Sequence, residues 1–369
     1  MPFRWTRALG LLLLGIGTRA HAIEVCDAPP RFGLSQTAIA IVHTACEEHR
    51  QWLRPFIDRQ GRLASLRVTE AESGNLADHG LVPWQRVAGY WRESGTLSQV
   101  GGEPGAASCW APPGNRFTDN DCRAFLIDTP WSAAFVSWVM TRAGVPGFTR
   151  SARHIDYIRA AWREGASGGP YRFTDPTAEK PAPGDLLCFI RNRRQVMGFA
   201  GLNAALAARA GVPNESHCDI VVAANVGGDR TLHLIGGNVL NAVTMRQLEL
   251  DRSGRVLLPL PRVAGEDGGD ATGPGAECTP AQSDQCNFNR QDWAVLLKLQ
   301  ATDPAPPALL PVVAPQPAAS GDAVPGGSPP ASPVESAPAS QQPHAPGDAI
   351  PPTPTSSSDA PGTPLKTGE

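Results

Sequence analysis

Thr129-Pro130-Trp131-Ser132-Ala133-Ala134-Phe135-Val136-Ser137-Trp138 reads as the start of a buried helix with a small hydroxyl residue in its first turn. Asp128 or Thr129 can cap it, because their side-chain oxygens accept from first-turn amides. Pro130 suits the first turn, where a missing N–H costs nothing. Phe135, Trp138 and Val139 face a core, and Gly144 ends the helix ahead of Pro146. The Ser132 hydroxyl is thereby expected beside free backbone N–H groups and the positive end of a helix dipole.

Working outward, residues 37–56 show helical spacing through Ala40, Ile41, Ala45, Trp52 and Leu53. Residues 84–93 form a second helical segment carrying Val87, Tyr90 and Trp91. The Gly/Pro/Asn-rich stretch 97–121 reads as loop. Residues 151–163 and 199–210 read as further helices, the latter as an insertion. Pro183-Gly184-Asp185 is a turn leading into the apolar strand 186–190. Residues 220–224 and 232–235 are strands separated by Gly227-Gly228, with 256–260 as a third pairing partner and 292–299 as a final strand or helix. Helices first and antiparallel strands afterwards predict an α+β fold.

A two-residue turn at Gly227-Gly228 suits the positive φ that tight hairpins require. Val226 then faces Asp229 and His217 faces Asn238. Directly opposed side chains share a sheet face with Cβ atoms about 4.5–5.5 Å apart. The same alternation sends Cys218, Ile220 and His233 to the other face.

Nucleophilic amide cleavage needs a nucleophile, a base beside it, and a third group that fixes the base in one tautomer. In chain order the candidates are Ser132, His217 and Asn238. A serine hydroxyl does not rest ionised as a thiolate can, so its proton must leave as it attacks. Each residue alone has a plainer reading: a small residue in a crowded turn, a hydrogen-bonded strand-end histidine, a turn former after two glycines. Their order and the hairpin pairing favour chemistry. Trp131, Tyr90 and His154 are candidates for lining the cleft, with a core or surface role as the alternative for His154. His43, His49 and His79 read as surface residues.

Residues 1–22 look like an export signal: Arg4 and Arg7, a short apolar run, and Ala20-His21-Ala22 as a cleavage site. No other stretch approaches the length of a membrane span. From residue 302 the chain changes character, with 18 of its 37 prolines and no aromatic residue. Such a tail buries too little to offset its ordering entropy and reads as disordered spacer, docking of a proline-recognising partner being the alternative. The net charge of −3 leaves the body near neutral, which argues against nucleic acid as a partner. Arg191-Asn192-Arg193-Arg194, the sharpest basic cluster, reads as a solvated loop face.

The chain has 8 cysteines, an even number, so disulfides are the default for an exported protein. Proximity suggests Cys26–Cys46, Cys109–Cys122, Cys188–Cys218 and Cys278–Cys286, although spacing does not fix connectivity. A site of Cys188, His217 and Cys218 lacks the paired-ligand spacing of zinc centres. No metal and no cofactor is expected.

Pro130-Trp131-Ser132-Ala133-Ala134-Phe135-Val136-Ser137-Trp138, Pro183-Gly184-Asp185-Leu186-Leu187, His217-Cys218-Asp219-Ile220-Val221 and Ile235-Gly236-Gly237-Asn238 together resemble the bacterial domain of unknown function 2272. More distantly they are similar to the CHAP and NlpC-type families that cleave peptidoglycan. The resemblance implies a papain-like fold, N-terminal helices on a small antiparallel sheet, with the families' nucleophilic cysteine replaced by Ser132, the base at His217 and the orienting residue at Asn238. The likeness covers about residues 84–299, and with the readings above it divides the chain into 1–22 as signal, 23–83 as a helical extension, 84–301 as the hydrolase-type domain and 302–369 as tail. The function it implies is a periplasmic or secreted amidohydrolase or peptidase acting on cell-wall peptide or a similar amide. A wall-binding module that kept the cleft without turnover is the rival.

Overall fold

Pro130 and Trp131 form the joint between two helices rather than the first turn of one. In the computed structural model, which describes residues 24–30, 32–72, 74–191, 195–261 and 287–300, the helices are α1 (Gln36–Gln51), α2 (Pro83–Glu93), α3 (Arg116–Asp128), α4 (Ser132–Arg142), α5 (His154–Glu164) and α6 (Gly198–Ala208). The strands are β1 (Phe56–Ile57), β2 (Leu63–Ser65), β3 (Tyr171–Thr174), β4 (Leu186–Ile190), β5 (Ser216–Ala224), β6 (Thr231–Val239), β7 (Ala242–Glu249) and β8 (Asp292–Leu299). The fold is α+β.

Helix starts follow capping chemistry. Ser35 accepts from the Ala38 amide at 3.1 Å to open α1, and Pro83 occupies the first turn of α2. Asn115 accepts from the amides of Phe117 and Thr118, which explains why the stretch expected as loop yields α3 instead. Asp128 and Thr129 therefore end α3 and do not cap α4. Trp131 stands at the α4 cap position without a side-chain bond. The first helical bond of α4 runs from the Phe135 amide to the Trp131 carbonyl at 3.0 Å.

Every residue of α4 from Ser132 to Met140 is buried, as expected for a helix apolar on all sides. It packs against α1, α2, β5 and β6. A Cβ on Gly237 would lie 2.5 Å from the Phe135 ring, so only glycine lets β6 approach α4 this closely. Trp52 stacks on Trp131 with ring centroids 5.7 Å apart. Tyr90 packs against Trp131, Phe135 and Trp138. Its hydroxyl donates to Glu48 at 2.6 Å and accepts from the Trp52 indole at 2.9 Å. Tyr90 and Trp131 are thus fully buried core residues and line no cleft.

The sheet has the order β2-β1-β7-β6-β5-β4-β8-β3. It is larger than the small antiparallel sheet expected, and it is mixed, because β1 runs parallel to β7. Strands of two or three residues such as β1 and β2 are too short for alternation to reveal. The third partner in the meander is β7, and Val256 makes only an isolated bridge to Leu250. The reason lies in the turns. Leu240 and Asn241 both take positive φ, 54° and 62°, between the paired Val239 and Ala242, so the tight two-residue turn joins β6 to β7.

Gly227-Gly228 instead lies in a longer loop, closed by the Asn225 amide on the Thr231 carbonyl. The expected pairs Ile220–Ile235 and Val221–Leu234 still form, because a register shift between Val221 and Ala223 absorbs the extra length. A second irregularity, between Gly236 and Val239, places Asn238 at φ 54°. The anticipated pairing of His217 with Asn238 does not occur.

Disulfides join Cys26–Cys46, Cys109–Cys122 and Cys188–Cys218. The last bridges neighbouring β4 and β5, so neither sulfur is available to a metal. These bonds are compatible with an exported protein. The Cys278–Cys286 pair, the signal segment and the tail lie outside the described residues. Among those described, no helix is long and apolar enough to cross a membrane.

His49 is buried rather than exposed, since it continues the Ile41-Ala45 stripe of α1. Its Nε2 contacts the Pro55 carbonyl oxygen at 2.9 Å, and burial lowers its pKa to about 4. A histidine depressed in the folded state favours folding fully above its unfolded value, and that contribution fades as pH falls. Between pH 6.5 and about 4, His49 alone should cost about 3 kcal/mol of stability. His154, His217 and His233 are shifted in the same direction, chiefly by burial. Glu70, which burial raises to about 7, acts in the opposite sense over nearly the same window, so the test is a comparison. In denaturant unfolding at a series of pH values, His49→Gln should lose less stability than wild type as pH falls, and parallel profiles would contradict the burial argument.

Candidate active site

Ser132, the first residue of α4, faces the first residue of α5. Its Oγ lies 2.6 Å from His154 Nε2. On the far side of that imidazole, Nδ1 is hydrogen-bonded to the hydroxyl of Tyr157, three residues further along α5 on the same helical face. A serine–histidine–tyrosine chain results. Burial, then the neighbouring His217 and Arg191, hold His154 well below the usual histidine range, so its ring is neutral.

A second chain adjoins it. The His154 and His217 ring centroids are 5.0 Å apart. His217 Nε2 lies 2.7 Å from Asp219 Oδ1, and the other carboxylate oxygen of Asp219 accepts from Arg246 Nε at 3.1 Å. Arg246 also donates to the Phe288 carbonyl and to Asn289 Oδ1. Burial opposes ionisation of Asp219, but His217 and Arg246 outweigh it and hold its pKa below the ordinary carboxylate value. His217 is driven neutral mainly by burial. A carboxylate on Nε2 keeps the proton there, leaving Nδ1 as a bare lone pair. That buried atom has no hydrogen-bond partner among the described residues.

The structure thus brings Ser132, His154 and His217 together and leaves Asn238 out. No hydrogen bond among the described residues joins Asn238 to His217; Asp219 occupies the orienting position instead. The backbone explains the exchange, because His217 and Asp219 are two apart on β5 and share a face, whereas the irregularity in β6 turns Asn238 away. A Cβ on Gly236 would collide with the Asp219 carboxylate, so that glycine makes room for it. Alternation along His217-Cys218-Asp219 is the signal that could have found Asp219. The i, i+3 relation of His154 and Tyr157 was equally open to reading.

The amides of Ser132, Ala133 and Ala134 precede the first helical bond of α4. They are the donors an oxyanion beside Ser132 Oγ would meet. Exposure is slight, at 8% for Ser132, 3% for His154 and 1% for His217.

A family model described as an uncharacterized protein conserved in bacteria, the domain of unknown function 2272, matches residues 78–299. The chain belongs to this family. No curated protein and no solved structure matches the chain significantly. In this member of the domain of unknown function 2272 family, the match takes in both histidine chains and all of β3 to β8. It begins after α1, β1 and β2, although β1 is hydrogen-bonded into the same sheet.

Proposed function

We propose that the chain is an exported, papain-like amidohydrolase or peptidase that uses Ser132 to cleave peptide or amide bonds of peptidoglycan. The observation that carries this reading is the 2.6 Å contact between Ser132 Oγ and His154 Nε2 at the start of a buried helix. With the His154 proton on Nδ1 and donated to Tyr157, Nε2 is free to accept the serine proton. Oγ then bonds to the amide carbonyl carbon, and the first-turn amides of α4 hold the developing oxyanion. The proton passes from Nε2 to the leaving nitrogen as the C–N bond breaks. His154 Nε2 then deprotonates water, whose oxygen bonds to the acyl carbon, and returns the proton to Ser132 Oγ as the ester C–O bond breaks. His217, fixed by Asp219, flanks the base as a second neutral imidazole.

The slight exposure of Ser132 and both rings favours the rival reading, a wall-binding module without turnover. Incubating the protein with purified peptidoglycan and analysing soluble products by mass spectrometry separates the two. Hydrolysis predicts new amino termini; the binding module predicts retention on the wall with no product. Ser132→Cys is expected to give activity that iodoacetamide abolishes, since a thiol beside these imidazoles is readily ionised. Activity indifferent to both the substitution and the alkylating agent would place the chemistry elsewhere.

A further inference from the structure

Arg191 is the cation at this site that the chemistry above leaves unused. It follows Ile190, the last residue of β4, and is exposed. Its amide bonds to the Glu215 carbonyl, which fixes the backbone. The guanidinium lies over the Phe189 ring, 5.5 Å from its centroid. Phe189 in turn packs on His217 with centroids 5.0 Å apart, and His217 packs on His154. Stacking restrains the guanidinium without consuming its donors. Among the described residues, no carboxylate pairs with it and no acceptor takes a hydrogen bond from it. Two acids attract it at longer range, Asp219, which is engaged by His217 and Arg246, and the exposed Glu215, which forms no ion pair with it; Arg246 is engaged by Asp219 and Asn289.

We infer that Arg191 anchors a carboxylate of the substrate, so that the site selects an anionic peptide with its acid group within a few residues of the bond attacked. The inference rests on the hydrolase reading for the location of that bond. A planar guanidinium with open donors matches a carboxylate in bidentate fashion, which a lysine ammonium does not. Binding there has a second consequence. The positive charge of Arg191 helps to keep both imidazoles weakly basic; a bound carboxylate offsets that charge and raises the proton affinity of His154 as substrate arrives. An anionic ligand is thus favoured for binding and for proton transfer.

The test uses soluble disaccharide-peptide fragments released from peptidoglycan by a muramidase, either untreated or with carboxylates converted to carboxamides by carbodiimide and ammonia. Calorimetric binding to full-length Ser132→Ala protein, which removes the nucleophile, is expected to weaken about 10-fold or more on amidation. Adding Arg191→Ala should abolish that preference, Arg191→Lys should restore part of it, and Arg191→Glu should invert it. Equal discrimination by all these variants, or no binding of either fragment, overturns the carboxylate anchor. The hydrolase reading is scored separately, by product formation with the Ser132 protein. A carboxylate preference without product leaves the anchor standing and removes the hydrolase; product formation indifferent to Arg191 does the reverse.

Discussion

Ser132→Ala is expected to remove amide hydrolysis while leaving the fold intact. Loss of the attacking oxygen should lower product formation from peptidoglycan at least about 10³-fold, or about 4 kcal/mol of transition-state stabilisation. The first-turn amides of α4 remain in place and support whatever slow water attack survives. The structural cost is smaller. His154 Nε2 loses the partner it has at 2.6 Å and becomes a buried unsatisfied atom, which costs about 1–3 kcal/mol. A thermal melt therefore shifts modestly while product vanishes. His154→Ala should reproduce the kinetic loss, because its ring is the imidazole in contact with the hydroxyl. Product formation equal to wild type in Ser132→Ala would remove the proposed nucleophile outright.

Asp219→Ala is expected to have the largest effect on stability. Its carboxylate is fully buried and joins His217 to Arg246, itself 3% exposed. Removing it leaves a guanidinium inside the protein without its counter-charge, which costs about 3–5 kcal/mol. The contacts of Arg246 to Phe288 and Asn289 persist and hold the loss toward the lower figure. Asp219→Asn keeps an acceptor for Arg246 and should cost less. Asp219→Ala combined with Arg246→Met should recover part of the loss, since the stranded charge is gone. Urea unfolding of the four proteins measures this directly. A loss below about 1 kcal/mol in Asp219→Ala would mean that water solvates Arg246, and the dry network described here would be wrong.

Much of the secondary structure is legible locally. α2, α5, α6 and β4 fall where hydrophobic spacing and turn residues put them, and the stretch left open between strand and helix is β8, buried on both faces like β4. Three disulfides join the cysteines that proximity in sequence suggested. Where local reading fails, a specific competitor wins. Asn115 caps a helix in a stretch that composition assigns to loop. Leu240-Asn241 makes the tight turn that Gly227-Gly228 advertises. His49 is covered because it sits on the apolar stripe of its helix, which a reading by residue type overlooks.

By itself the sequence determined a hydroxyl at the head of an apolar helix and an imidazole on an apolar strand. Those depend on capping and periodicity, which act within a few residues. Only tertiary packing decided that His154 meets Ser132, that Asp219 rather than Asn238 steadies His217, and that Arg191 stands beside them. The first contact requires the start of α5, which packs on β3 and β5, to meet the start of α4 over a separation of 22 residues. The second depends on an irregularity that turns one asparagine away, and a one-residue shift in a strand exchanges every side chain between faces. Such choices are made by the whole core at once, so no local pattern records them.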